Sequence, residues 1–239
     1  MKTKLILLAV ITFAIIIAGC KYDNYDPPTS FLTGKMIYNN IPVGVRSNAT
    51  QLELWQWTWD TRGVIARAKI IAYIAQDGSY SARLFDGDYK IVRLAGAPWS
   101  NPNTDTLLVT VKGNTTFDVP VSPYFIITGE TYTYSNADSS VTATGLITKV
   151  GSNAITNMTL YAGYTGIVDN TNSFGNQALT TGLVDLSTPK TVKFKIPKTA
   201  FTNYPSYLSQ RGYVYVRLGI QISGVSERYF TQVQKISLQ

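Results

Sequence analysis

The sequence holds 239 residues with 21 Lys and Arg against 14 Asp and Glu, a formal net charge of +7, one cysteine and no histidine. Without histidine, no Ser-His-Asp or Cys-His relay and no zinc-protease motif can form, and no phosphate-cradling glycine loop is present. The basic residues form no dense run, so nucleic acid is not an expected partner, while a mildly basic surface suits an anionic polysaccharide or cell surface.

In chain order, Lys2 and Lys4 precede an apolar run from Leu5 to Ala18, then Gly19 and Cys20, the pattern of a secretory signal. A spanning helix needs roughly 20 apolar residues, more than this run supplies. Ile17-Ala18-Gly19-Cys20 resembles the bacterial lipobox, which implies cleavage after residue 19 and lipidation of Cys20; an ordinary signal peptide or a short anchor are the alternatives. Cys20 is the sole thiol, so disulfides within the chain are not expected. Residues 20–30, ending in Pro27-Pro28-Thr29-Ser30, read as an extended tether. Lys21 stands where an inner-membrane retention signal would place Asp, so an outer-membrane location is expected, and Asp23 and Asp26 resemble the acidic tract that sends such lipoproteins to the cell surface in Bacteroides-type bacteria.

Beyond the tether, short alternating runs separated by turn residues predict an all-β chain of two tandem β-sandwich domains, residues 31–122 and 123–239. The first set covers 31–38, 51–59, 69–75, 79–85, 88–94, 106–111 and 115–121, punctuated by Asp77-Gly78, Asp86-Gly87 and Lys112-Gly113-Asn114. Ser122-Pro123 is taken as the boundary, because proline lacks a ladder donor. The second set covers 124–134, 139–148, 155–164, 177–186, 191–196, 213–223 and 228–237, with a loop or short helical turn over 197–211.

Two rows stand out as candidate ligand surfaces. Alternation along 51–59 places Leu52 and Leu54 on one face and Trp55, Trp57 and Trp59 on the other, where indoles would stack on sugar rings; the plain alternative is that they cover an edge or a domain junction. Along 213–223, Val214, Val216, Leu218, Ile220 and Ile222 alternate with Tyr213, Tyr215 and Arg217, a mixture suited to a polar ligand, although aromatics also favour strands for packing alone. Trp99, between Pro98 and Pro102, falls on an expected loop. No metal or cofactor site is expected. Asp60, Asp77, Asp86, Asp88, Asp105 and Asp118 sit mostly at turns, so an enzyme is not expected, and a two-carboxylate glycoside hydrolase is the least favoured reading.

Gly34-Lys35-Met36-Ile37-Tyr38, Asp77-Gly78-Ser79-Tyr80, Gly87-Asp88-Tyr89-Lys90 and Thr116-Phe117-Asp118-Val119-Pro120-Val121 resemble the carboxypeptidase-regulatory or transthyretin-like sandwich. With the lipobox, Leu52-Glu53-Leu54-Trp55-Gln56, Arg93-Leu94-Ala95-Gly96 and Val233-Gln234-Lys235-Ile236, the chain is similar to the lipoprotein family filed as domain of unknown function 3823. The resemblance implies a non-catalytic accessory protein of a SusC/SusD-type glycan importer in Bacteroides-type bacteria, binding an oligo- or polysaccharide. The competing expectation is a structural or adhesion module bound to a neighbouring outer-membrane protein. The resemblance assigns no ligand residues, only the lipidated Cys20.

Overall fold

The computed structural model describes residues 26–56, 69–100, 106–203 and 205–238. Cys20, Trp57, Trp59, Asp60 and Asp105 lie outside them. The first half contains β1 (Ser30–Tyr38), β2 (Ile41–Pro42), β3 (Gln51–Gln56), β4 (Ile70–Tyr73), β5 (Ser79–Leu84), β6 (Gly87–Arg93), β7 (Trp99–Ser100), β8 (Thr106–Val111), β9 (Thr115–Thr116), β10 (Val119–Pro120) and β11 (Ser122–Pro123). Strand β1 is the hub of one sheet, antiparallel to β5 and β2 and parallel to β9 and β10. The other sheet is antiparallel in the order β4-β3-β6-β8.

Alternation explains which faces meet. Leu32, Ala82 and Leu84 of the first sheet, and Leu52, Leu54, Ile91 and Val109 of the second, are buried, whereas their in-between neighbours face outward. Each fully buried Leu or Ile contributes roughly 1.5–3 kcal/mol relative to exposure. The expected tight turns form. Gly78 (φ 85°) and Gly113 (φ 60°) adopt left-handed backbone angles, which a side chain would resist. The Asp77 carboxylate accepts from Ser79 N at 3.0 Å and Ser79 Oγ at 2.6 Å, the local pairing that makes Asp a turn former.

The second half contains β12 (Phe125–Ser135), β13 (Ser140–Lys149), β14 (Ile155–Gly163), β15 (Gly175–Leu179), β16 (Lys190–Lys195), α1 (Lys198–Thr202), β17 (Tyr213–Ile222), β18 (Tyr229–Phe230) and β19 (Gln234–Ser237). One sheet runs β12-β13-β16; in the other, β17 lies between β14 and the pair β18 and β19, with β15 at the edge. Val192 and Phe194 are buried while Lys193 and Lys195 point out, as their alternation requires. The fold is therefore all-β, as tandem sandwiches.

Some expected strands are shorter or split, with 115–121 divided into β9 and β10 and 228–237 into β18 and β19, while the boundary dipeptide forms a short ladder of its own. The strand expected over 177–186 ends at Leu179, because Gly182 turns with φ 71° and Asp185 caps a turn by accepting from Ser187 N at 2.9 Å. Ser122-Pro123 is not a plain break: as β11 it pairs with β7 (Ser122 opposite Ser100, Pro123 opposite Trp99). A two-residue edge ladder tolerates proline where a central strand would not.

The halves meet through main-chain chemistry. Phe230 N donates to Gly44 O at 3.0 Å, and Gly96 O accepts from Glu227 N and Ser226 Oγ, both at 3.0 Å. Arg46 holds Glu227 through two bonds, Nη2–Oε1 at 2.7 Å and Nε–Oε2 at 3.1 Å. This charge-assisted pairing raises the Arg46 pKa. The Gln76 side chain donates to Gly166 O and accepts from Val168 N. At the centre lies Arg217, 0 % exposed, whose guanidinium donates to Thr231 O and Gln76 O at 2.5 Å, Val45 O at 3.1 Å and Val168 O at 3.2 Å. The same group lies 4.5 Å from the centre of the Phe230 ring, within cation–π range.

Buried tyrosines make the fold sensitive to alkali. Burial pushes Tyr229 and Tyr132 up to about 12 and Tyr80 further still. In the unfolded chain these phenols ionise near 10, so their contribution is complete below about pH 10 and is lost as pH rises toward about 12. For Tyr229, 3 % exposed, that is roughly 3 kcal/mol. Arg217, lowered by burial to about 10, and Arg93, also lowered by burial, act in the opposite sense at high pH, two groups against five raised tyrosines, Tyr89 and Tyr161 included. The urea midpoint should fall between about pH 10 and about pH 12, with the part of the tyrosinate absorbance that belongs to the buried phenols appearing on unfolding; a midpoint that climbs across this window would contradict the assignment.

Candidate functional site

The outward face of the β4-β3-β6-β8 sheet forms the main candidate. Cross-strand register places Trp55 opposite Lys90 and Lys90 opposite Leu108 in one row, with Ile71, Glu53, Val92 and Thr106 in the next, and Gln51 opposite Tyr73 beyond. Trp55 is half-buried, Tyr73 is 52 % exposed and Leu108 is 66 % exposed. The Trp55 indole N–H donates to Glu53 Oε2 at 3.1 Å, and Lys69 pairs with the other Glu53 oxygen. Glu53 thus fixes the tilt of the indole, and Lys69 offsets its charge. Beside the row, Asp88, Tyr89, Leu108, Val109 and Thr110 line a shallow depression of about 250 Å³, where Thr110 Oγ1 donates to Asp88 at 2.6 Å.

The alternation along β3 locates Trp55 on this face. Tyr73, Lys90 and Leu108 come from strands not singled out from the sequence. Leu108 did leave a signal, an apolar residue out of phase with buried Val109 and Val111.

Other candidates find different roles. Trp99 is 2 % exposed, seated in β7 against β11, so it is core and not a loop contact; neighbouring prolines imitate a surface loop where a short ladder forms. Arg217 is fully buried and spends its donors on the carbonyls of the junction, which removes it from any ligand face. Tyr215 is half-buried against the cluster of Tyr161, Val168 and Phe230. Tyr213 lies edge-on to Tyr215, with 5.5 Å between ring centres, and Lys235 Nζ stands 3.7 Å from the centre of the Tyr213 ring. The face that would stack on a sugar is therefore taken by a cation. The row on β17 is thus divided: its middle is domain junction and its end is a capped aromatic pair.

The carboxylates act as acceptors. Asp86 accepts from Ser30 Oγ at 2.5 Å and Gly113 N at 2.9 Å, and Asp118 accepts from Lys35 N at 2.8 Å. For Asp169, burial opposes ionisation, but bonds from Asn172 and Thr171 outweigh it and the pKa falls. Burial opposes ionisation of Asp77 too and is outweighed by donation from Ser79, while Asp86, Asp138 and Asp185 are displaced downward chiefly by side-chain donors. A glycosidase general acid requires the reverse displacement. Among the described residues no three His, Cys, Asp or Glu side chains gather in a form that would hold a metal ion.

Residues 30–122 match the N-terminal domain of the protein family of unknown function DUF3823, and residues 127–235 match the family's C-terminal domain. The chain belongs to the DUF3823 family. A DUF3823 protein of Bacteroides ovatus is 36 % identical, superposes with a TM-score of 0.76, and aligns over 88 % of this chain and 100 % of its own. A DUF3823 protein of Parabacteroides merdae is 25 % identical with a TM-score of 0.75, over 89 % and 100 %. A Bacteroides uniformis protein for which carbohydrate binding has been suggested shares the fold at 17 % identity and a TM-score of 0.66, over 88 % and 100 %. No functionally curated protein matches the chain.

Proposed function

We propose that this DUF3823 protein is a lipid-anchored, non-catalytic saccharide-binding accessory of a SusC/SusD-type importer, displayed on the outer membrane through Cys20. The observation that carries the reading is the Trp55 platform: an indole tilted by Glu53, with Lys90 and exposed Leu108 in its row, bordered by the polar pair Asp88 and Thr110, and with exposed Tyr73 on the same face two rows away. A sugar ring offers an apolar C–H face to an aromatic ring and hydroxyls to neighbouring polar groups, which this face supplies. The suggested carbohydrate binding of the structurally similar Bacteroides uniformis protein adds support.

Affinity electrophoresis and glycan-array binding of residues 21–239 test the reading. Retention by a host or dietary glycan is expected, weakened about 10- to 100-fold by Trp55→Ala, since a stacked indole contributes roughly 1.5–3 kcal/mol. Retention by no glycan, or equal retention of the variant, would sink it. Protease shaving of whole cells tests the location, with cleavage expected. A second reading, a protein partner, is favoured by one feature: β8 is the edge of its sheet and carries the exposed Leu108, an open template for another strand. Cross-linking from position 108 on intact cells without sugar would favour it.

A further inference from the structure

The two ends of the first sandwich are chemically unlike. At the Tyr38 end of β1 lie the junction groups Gly44, Gln76 and Gly96, which hold the second sandwich. At the Ser30 end, about 26 Å away along nine residues of strand, Asp86 ties Ser30 to Gly113, and Gln56 closes β3 beside Gly87. Two large apolar side chains are exposed there, Phe31 at 40 % and Phe85 at 43 %. Phe31 pairs with Arg83, and Phe85 follows directly on the end of β5, opposite the start of β1, so both exposed rings lie at this end of the sheet. Lys112 is exposed at the adjacent turn, beside Gly113.

The chain outside the fold ends at this same place. Ten residues connect Cys20 to Ser30, at most about 36 Å when fully extended. From these placements the geometry points to a membrane-docking surface: the Ser30 end of the first sandwich rests on the lipid bilayer, Phe31 and Phe85 enter the headgroup region, and the second sandwich projects outward. The inference depends on lipid attachment at Cys20 as proposed above. One lipidated residue on a ten-residue tether leaves orientation free; two aromatic side chains beside its origin supply the second contact that fixes it. The face of β4-β3-β6-β8 then stands upright from the membrane, with Trp55, next to Gln56, and Asp88, next to Gly87, close above the headgroups.

The test uses the full-length chain, processed in cells and reconstituted into vesicles of phosphatidylethanolamine and phosphatidylglycerol with a nitroxide-labelled phospholipid. Acylated Cys20 leaves an introduced thiol as the only one available for a fluorophore. In Phe85→Cys the probe is expected to be quenched at least about twofold, whereas in Val184→Cys, a fully exposed position of the second sandwich, it is not. As a companion, Phe31→Ser with Phe85→Ser should lower vesicle partitioning of unacylated residues 21–239 about tenfold or more. Intact mass separates the outcomes. Acylated protein with no quenching at position 85, or with cross-links from 85 to a membrane protein in place of quenching, overturns the docking surface and leaves the anchor standing; unacylated protein overturns both.

Discussion

Arg217→Met is expected to lower stability by about 4 kcal/mol or more. The substitution keeps most of the side-chain volume and removes a guanidinium that serves four carbonyls from Val45, Gln76, Val168 and Thr231. Buried acceptors left without donors cost roughly 1–3 kcal/mol each where water does not reach them. Opposing this, the charge itself is costly to bury, and its pKa is pushed down for that reason. Four acceptors outweigh one relieved cation. Calorimetry should show a fall of about 10 °C or more; a variant as stable as the parent would mean that the acceptors find water and that the junction is wetter than its burial implies.

Gly34→Ala should cost about 3 kcal/mol for a different reason. A Cβ at Gly34 would stand 1.9 Å from Phe117 O. That oxygen also accepts from Tyr80 Oη at 2.6 Å, and the same crossing is held by Phe117 N to Thr33 O at 2.8 Å. A backbone that must retreat to admit one methyl therefore disturbs the parallel pairing of β1 with β9 and β10. Chemical denaturation of the variant checks this, with a reduced midpoint and an unchanged slope expected. An unaffected midpoint would show that the 117–120 segment shifts without loss.

Much of the strand plan was legible because a half-buried strand writes its burial into period two. Leu52 and Leu54 against Trp55, and Val192 and Phe194 against Lys193 and Lys195, were readable in this way. The same period cannot tell what covers the second face. Tyr213, Tyr215 and Arg217 read as a wet face, yet Arg217 lies beneath the first sandwich. Contacts between residues 172 positions apart leave no local trace in the sequence. Trp99 failed for a local reason: proline and glycine neighbours mark turns, but here they bracket a two-residue ladder that buries the indole. Of the candidate site, Trp55 was legible from alternation, while its partners Tyr73, Lys90 and Leu108 became visible only through cross-strand register.

The junction around Arg217 bears on how such a protein can change over time. Its acceptors are carbonyl oxygens, which every residue type carries, so the bonds of the guanidinium do not themselves dictate the side chains at 45, 76, 168 and 231; Gln76 is held instead by its own side-chain bonds to Gly166 and Val168, and Val45 by burial. Arg217 and Gly44 are fixed by the joint itself, since a methyl at Gly44 would lie 2.6 Å from Arg217 Nη2 and 2.5 Å from Phe230 O. The two sandwiches are therefore poor candidates for shuffling as independent cassettes: a transplanted second half would bring a cation whose solvation was left behind in its former neighbour.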